Sequence, residues 1–386
     1  ALLSTLLALV IGLSAAFFTA RRNFPLKGFL LSLSSIPFCI PSLLVALGFV
    51  SFFGMNGTLN SFLMHISGAQ KPPLTFLYSF AGVIICQGFY NFPLIMSTVN
   101  DSWQRLSTAE KDAARLLGAS DFKIFRTITF YQLFPSIVSA CIPVFLYCFF
   151  SFMIILMFGA LGSTTMEVEI YQLARVNLDF NKALRYGAAE TSIALSFVVL
   201  YTLLEQKTNS LRGVVFSKNY LNCKNIKGIE LFFAFLLFSA IILFFLCPFF
   251  SIFINALASQ RLKSNFTFYN FLSLFSSASF YKALKWTFIT GILTAFFCTV
   301  TAFIYAILLK TYDSKGKKFI LRVIPLVPMA ISSVITGIII TLLIRSGNLL
   351  LLVLAQTLLY WPIAFRQIYS DLQKFPQSTQ DAARIL

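Results

Sequence analysis

Asp112-Ala113-Ala114-Arg115-Leu116-Leu117 returns near the other end of the chain as Asp381-Ala382-Ala383-Arg384-Ile385-Leu386. The same offset pairs Gln87 with Gln356 and Pro93 with Pro362, so the correspondence reaches well upstream of the DAAR core. A polar stretch that occurs twice in an apolar sequence is ill suited to lipid contact. It reads as one surface displayed twice, for something outside the membrane to grip. The chain is therefore expected to be two repeats of one membrane-embedded unit.

The composition supports that frame. Of the 386 residues 58% are hydrophobic and only 11% charged, whereas soluble domains carry about a quarter charged residues. Apolar stretches of about 18 residues or more recur along the length, each able to cross roughly 30 Å of hydrocarbon. The fold class is all-α, a polytopic membrane protein. The net charge of +17 does not point to nucleic acid, because Lys and Arg sit in short segments between apolar runs, as at Arg21-Arg22, Lys315 and Lys317-Lys318. That is the distribution of cytoplasmic connections, and attraction to anionic membrane lipid accounts for it. Cys39, Cys86, Cys141, Cys148, Cys247 and Cys298 lie in apolar runs and Cys223 in a basic loop. No pair has metal-ligand spacing, and His65 is the single histidine, so no metal site is expected.

Nine spans are predicted: Ala1–Ala20, Phe29–Phe53, Leu74–Val99, Leu133–Phe158, Ala188–Leu204, Leu231–Ile254, Ala283–Leu309, Ile320–Ile344 and Leu349–Arg366. Arg21-Arg22 and Lys27 place the first connection inside, after which the crossings alternate, and most Lys and Arg then fall on or beside the inner face. Residues 1–204 form the first repeat, 205–230 a basic cytoplasmic linker, and 231–386 the second repeat. Parallel repeats of this kind build transporters around an axis along the membrane normal, here with six helices each when complete. Ala1 already lies inside an apolar run and Leu386 falls in mid-motif, so the expectation is a fragment, lacking the first helix of one repeat and the end of the other. Pro37 and Pro41 interrupt one span and Pro325 and Pro328 its counterpart; proline frees a backbone carbonyl, which in lipid must be buried or line a cavity.

From Asp112 to Tyr131 the chain reads DAARLLGASDFKIFRTITFY. Ala, Arg and Leu favour helix, with Ser107 or Thr108 as caps; paired alanines permit close approach, and Gly118 permits a sharp turn. The stretch resembles the EAA loop of ABC-importer permeases, with Asp112, Ala113, Ala114, Gly118 and Ile128 at the family spacing. Phe130 and Tyr131 depart from its closing Leu-Pro, and Pro135 arrives four residues late. Asp381, Ala382 and Ala383 match in the second copy. The chain as a whole resembles the fused two-repeat permeases of the thiamine and iron(III) branch, also at Tyr90-Asn91-Phe92-Pro93 and at Thr164-Thr165-Met166-Glu167-Val168-Glu169-Ile170-Tyr171-Gln172. The resemblance implies that an ATPase subunit grips each loop, two copies in all. It also implies that an external, periplasmic binding protein docks on the opposite face, with Glu167 and Glu169 as contacts, and a place in the bacterial cytoplasmic membrane.

No G-x-x-x-x-G-K-[ST] sequence occurs, so ATP is expected on a separate chain, with no cofactor and no catalytic residue in this one. An ion-coupled secondary transporter is the alternative. It would need titratable groups inside spans, and Glu190, placed near an outer helix end, is the exception to an otherwise bare set. Alternating access driven by ATPase closure is the expected mechanism, with thiamine or ferric iron as the solute.

Overall fold

The computed structural model describes residues 1–25, 27–33, 39–104, 106, 109–159, 164–211, 224–226, 228–257, 267–312, 319–343 and 348–374, with the backbone alone at 205–211, 224–225, 343, 370–371 and 373–374. Pro37, Ser107, Thr108, Cys223, Lys315, Lys317, Lys318, Asp381, Ala382 and Ala383 lie outside the described residues.

The helices that organise the chain are α1 (Leu2–Arg21), α2 (Ser42–Phe53), α3 (Thr58–Ser67), α4 (Phe80–Gln104), α5 (Ala109–Leu116), α6 (Asp121–Phe149), α7 (Met153–Phe158), α8 (Met166–Arg175), α9 (Phe180–Leu211), α10 (Ile229–Leu257), α11 (Ala278–Tyr312), α12 (Ser333–Leu343) and α13 (Leu349–Lys374). Among the described residues eight helices are long and apolar enough to cross a membrane, or nine when the bent pair before and after Ile331 is one span. The protein is thus an all-α polytopic membrane protein, as its composition requires. The sole strand pairing among the described residues is a two-residue parallel bridge, Arg22-Asn23 with Lys224-Asn225.

Several boundaries differ from the expected ones. The second span starts at Ser42, where Pro41 at φ −60° and ψ 141° sets the N-cap; a proline pre-set for this position ends extended chain and opens helix. The fourth starts at Asp121, twelve residues before the apolar run, because Ser120 caps it by accepting from the Lys123 amide at 3.4 Å. A π-turn over Phe125–Thr129 then joins it to the apolar part without a break. The fifth starts at Phe180 rather than Ala188. Hydropathy marks where a helix becomes apolar, and capping marks where it begins.

By packing, the chain divides into two compact units, residues 1–168 with 203–270, and 169–202 with 271–386. These units follow packing and the repeats follow sequence, and the dividing lines are different. In the first unit α1 and α4 run side by side in the same direction. Ser4 Oγ donates to Gln87 Oε1 at 2.6 Å, a Cβ on Gly88 would stand 2.8 Å from Leu7 Cγ, and one on Gly12 would stand 2.8 Å from Ile95 Cβ. Parallel packing is what two spans that cross a membrane in the same direction require. α6 returns antiparallel, with Gln87 Nε2 donating to the Cys148 carbonyl at 3.5 Å and Phe125 stacked on Trp103 at 6.0 Å. The core of Ala8, Ala15, Phe92, Ile95, Met96 and Val99 lies along this junction. α2 packs on α10, where a Cβ at Gly48 would meet the Pro248 carbonyl at 2.9 Å and Ser51 Oγ meets Ser251 Oγ at 2.7 Å. Arg22 and Glu230 form a two-pronged ion pair that ties the end of α1 to the start of α10.

In the second unit α11 and α13 form the corresponding parallel pair. Thr294 Oγ1 donates to Gln356 Oε1 at 2.9 Å, Tyr305 lies edge-on to Trp361 and Phe365, and Lys310 Nζ donates to the Leu372 carbonyl at 2.9 Å. Beside it the span through Pro325 and Pro328 is broken. A 3₁₀ segment over Ile324–Ala330 is followed by α12 at an angle of 84°.

Replacing Gly12 with Val should lower the stability of the purified chain by about 1–3 kcal/mol, the usual cost of forcing atoms into a packed junction. Gly291→Ala, where an added Cβ meets nothing within 4 Å, should be neutral or stabilising. Thermal midpoints in detergent would separate the two; a Gly12→Val midpoint equal to the parent would show that α1 and α4 are not in close contact there.

Candidate functional site

Between the ends of α4 and α6 the polar loop folds as the short helix α5, a turn, and the capped start of α6. Gly118 makes the turn at φ +81°, in the left-handed region that costs a residue with a Cβ. The Leu117, Gly118 and Ala119 amides donate back to the Ala113, Arg115 and Ala114 carbonyls, so the helix end is closed by its own backbone. Arg115 donates to Asp121 Oδ1 across the turn at 2.9 Å and approaches Asp112 at 3.5 Å. Gln132 donates to Glu110, linking α5 to α6. The loop is thus held as a fixed hairpin.

What that hairpin presents is unusual. Leu116 and Leu117, at its tip, are 89% and 88% exposed, and Phe122 is 74% exposed. These side chains do not face an apolar run; they are surrounded in sequence by Glu110, Asp112, Arg115, Asp121 and Lys123. Asp112 and Ala113 are exposed too, Ala114 and Ile128 are half-buried, and Ile128 lies within the π-turn. The structure therefore brings the five residues of the first copy into one hairpin; the second copy lies outside the described residues.

Beneath the hairpin are two groups that sequence reasoning missed. Lys111 is 5% exposed and Trp103 3%, and neither Lys111 Nζ nor Trp103 Nε1 has a hydrogen-bond partner among the described residues. Burial, then the positive charges of Arg21 and Arg115, lower the Lys111 pKa from 10.5 to about 8, against the opposing pull of Asp112 and Glu110. Flanked by Glu110 and Asp112, Lys111 has the local pattern of a solvated residue. Its burial is a tertiary effect that no local pattern announces.

The second group of expected residues fares differently. Glu169 is half-buried, but Glu167 is fully buried. The expectation that Glu167 contacts an external protein is corrected: α8 turns it inward with Val168, because Ile170, Leu173 and Ala174 need the same face of the helix for the core. Glu190 is likewise fully buried, and with α9 starting at Phe180 it lies ten residues inside a helix rather than near an end.

The model of the family described as binding-protein-dependent transport system inner membrane component matches residues 8–210, more than half of the chain. The chain belongs to that family. This inner membrane component is similar to a Salmonella typhi permease protein named for 2-aminoethylphosphonate transport, PhnU, with 27% identity over 44% of the chain and 58% of the relative. It is also similar to the thiamine transport system permease protein ThiP of Brucella abortus strain 2308, 31% identical over 52% of the chain and 36% of the relative. With ThiP of Haemophilus influenzae the identity is 27% over 68% of the chain and 48% of the relative. In each case the chain spans less than two thirds of the relative's length.

The buried ammonium gives a test of the hairpin. A lysine whose pKa falls on folding costs stability while it is protonated: the cost is full below about pH 8 and fades as pH rises toward the unfolded value of about 10.4. Lys111→Met should raise the thermal midpoint at pH 7 by the equivalent of about 1–2 kcal/mol, allowing for nearby solvent. It should also remove the gain in stability that the parent shows between pH 7 and 9.5. A parent midpoint indifferent to pH, matched by the variant, would place Lys111 in water.

Proposed function

We propose that this chain is the membrane-spanning permease subunit of an ATP-driven importer. Its helices form the passage for a small solute, and the hairpin around Gly118 receives the motion of a separate ATPase subunit. The observation that carries the reading is the exposed Leu116-Leu117 tip on a hairpin fixed by Arg115, Asp121 and Gln132. An apolar tip in a charged surround suits the groove of a soluble partner, and a stiff loop passes displacement on where a floppy one absorbs it. Asp112, Ala113, Ala114, Gly118 and Ile128 make up the first coupling loop, and Asp381, Ala382 and Ala383 belong to the second, so that two ATPase copies serve one permease with two repeats. Nucleotide binds to those partners. A substrate-binding protein delivers the solute on the opposite face, where Glu169 remains a contact. The setting is the bacterial inner membrane.

For the solute, thiamine leads, because two of the relatives named above are thiamine permeases. 2-Aminoethylphosphonate is the second reading, from PhnU. Ferric iron rests on the sequence resemblance alone. The full-length chain, reconstituted in liposomes with its ATPase and binding protein, should take up labelled thiamine only when ATP is supplied. Uptake of 2-aminoethylphosphonate or ferric iron in its place would reassign the solute, and no ATP-dependent uptake of any of the three would sink the reading.

Gly118 tests the coupling itself. Nothing lies within 4 Å of a Cβ built there, so Gly118→Val acts through backbone strain of roughly 1–3 kcal/mol and not through a clash. Uptake per ATP hydrolysed should drop at least tenfold in Gly118→Val, with the chain still inserted. Gly118→Asn should keep most of it, since asparagine tolerates the left-handed region. Equal uptake by the valine variant would remove the hairpin from the mechanism.

A further inference from the structure

We infer that a cleft of about 540 Å³ in the first unit, lined by Val50, Gly54, Met55, Asn56 and Tyr78, is a binding site for a planar aromatic solute, neutral or cationic. This rests on the importer reading above and narrows the class of solute carried.

The cleft lies where two backbone segments meet. α2 ends at Phe53, and the turn 54–57 closes with the Gly57 amide donating to the Gly54 carbonyl at 2.9 Å, before α3 starts at Thr58. The other wall is a 3₁₀ turn, Phe76–Tyr78, which leads into α4 at Phe80. One side chain clamps the two together. Asn60, with no exposed surface, donates from Nδ2 to the Gly54 carbonyl at 2.8 Å and to the Leu74 carbonyl at 2.7 Å, and its Oδ1 accepts from the Leu74 amide at 2.9 Å. Thr58 Oγ1 is 3.2 Å from Ser251 Oγ, which ties the turn to α10. A Cβ on Gly54 would stand 3.4 Å from Tyr78 Oη, so the tyrosine faces the turn directly. The walls are held by hydrogen bonds of their own, and the cleft is formed before anything enters it, as small-molecule sites of about 300–1,000 Å³ usually are.

The lining decides what the cleft suits. Met55 is 51% exposed and Tyr78 37%, and Asn56 is exposed as well, so all three are open to a ligand. Tyr78 brings an aromatic ring, which favours other rings and cations. Met55 brings a thioether, which favours aromatic contact. Asn56 brings amide donors and an acceptor. None of the described lining residues is charged. A phosphonate therefore meets no counter-charge there, and ferric iron meets no carboxylate or imidazole. A flat ring bearing amino or hydroxyl groups has a partner for each of its parts.

The position agrees with this use. α4 is 25 residues long, about 37 Å, which is enough to cross roughly 30 Å of hydrocarbon. Tyr78 stands just before its start and the hairpin follows its end, so cleft and hairpin belong to opposite ends of one crossing. On the importer reading, the end away from the ATPase is the one at which solute arrives.

The test titrates the full-length chain in nanodiscs, without ATPase or binding protein. The probes are labelled thiamine, an aromatic cation, and labelled 2-aminoethylphosphonate, which has no ring. Thiamine should bind the parent, and Tyr78→Ala should weaken that binding about fivefold, the worth of one ring contact. Tyr78→Phe should stay within about twofold, and 2-aminoethylphosphonate should not compete. Equal thiamine binding by the parent and Tyr78→Ala overturns the inference; if uptake by the complete importer falls all the same, the cleft belongs to the docked binding protein. An equal loss in Tyr78→Phe overturns it too, since the ring is then not what holds the ligand. Should Tyr78→Ala fail to fold, Asn56→Ala in the exposed turn decides, and unchanged binding there overturns the site. ATP-dependent uptake is measured in parallel. Thiamine uptake without binding to the chain overturns the site and leaves the importer reading standing, whereas binding without ATP-dependent uptake of any probe supports the site and removes the importer reading.

Discussion

A hydroxyl on one helix donating to a glutamine on its parallel neighbour is the contact around which each compact unit is arranged. In the first unit it is Ser4 to Gln87 and in the second Thr294 to Gln356. Neither group has water to fall back on in hydrocarbon, so each must find the other. The energy is modest, about 0.6 kcal/mol for a typical contact between membrane helices and less than 2 at most. The consequence is register. Two apolar helices can slide along one another at little cost, but a shift by one turn would strand a hydroxyl and an amide together. Gly88, one residue beyond Gln87, and Gly12 then let the backbones close to a distance that no larger residue at either position would allow.

That contact also bears on how much of the molecule could be seen beforehand. Gln87 and Gln356 stand at the offset of the repeated DAAR stretch, and the structure gives both the same partner chemistry although the hydroxyls differ in kind. The class of the fold and the approximate number of crossings were legible, because long apolar runs have few alternatives in a bilayer. The helix starts were not. Asp121 and Phe180 open helices in polar sequence, through a serine cap in one case and well ahead of the apolar run in the other. Helix extension through polar residues depends on hydrogen bonds at the ends, which hydropathy does not register.

Glu167 and Glu190 show the same limit from another side. Glu167 and Glu190 read as surface or interfacial because they are charged and close to polar sequence. Both are buried, and the reason lies in helix periodicity: once α8 is phased by Ile170 and Ala174 and α9 by Ala183 and Ala194, Glu167 and Glu190 fall on the inner face. A heptad drawn from Ala183 would have placed Glu190 on that face, had the start of α9 been known. The error in phase followed from the error in boundary.

Lys111 and Gly118 bring this back to the hairpin. Exposed leucines at the tip suit the proposed partner, while the buried ammonium below them, without an acceptor among the described residues, opposes this conformation of the loop. The turn at Gly118 is strained for any residue with a Cβ, but for glycine it is free, so the opposition comes from Lys111 and from the Trp103 Nε1 beside it, unpartnered among the same residues. The hairpin is then stiff within itself, through Arg115 and Asp121, yet held against the helix ends by a contact that costs something to keep. An element with those properties moves as a body when pulled. If the hairpin couples to a soluble partner as proposed above, stiffness inside the loop and weakness beneath it are what such a lever requires, and a loop uniformly rigid or uniformly loose would not supply both.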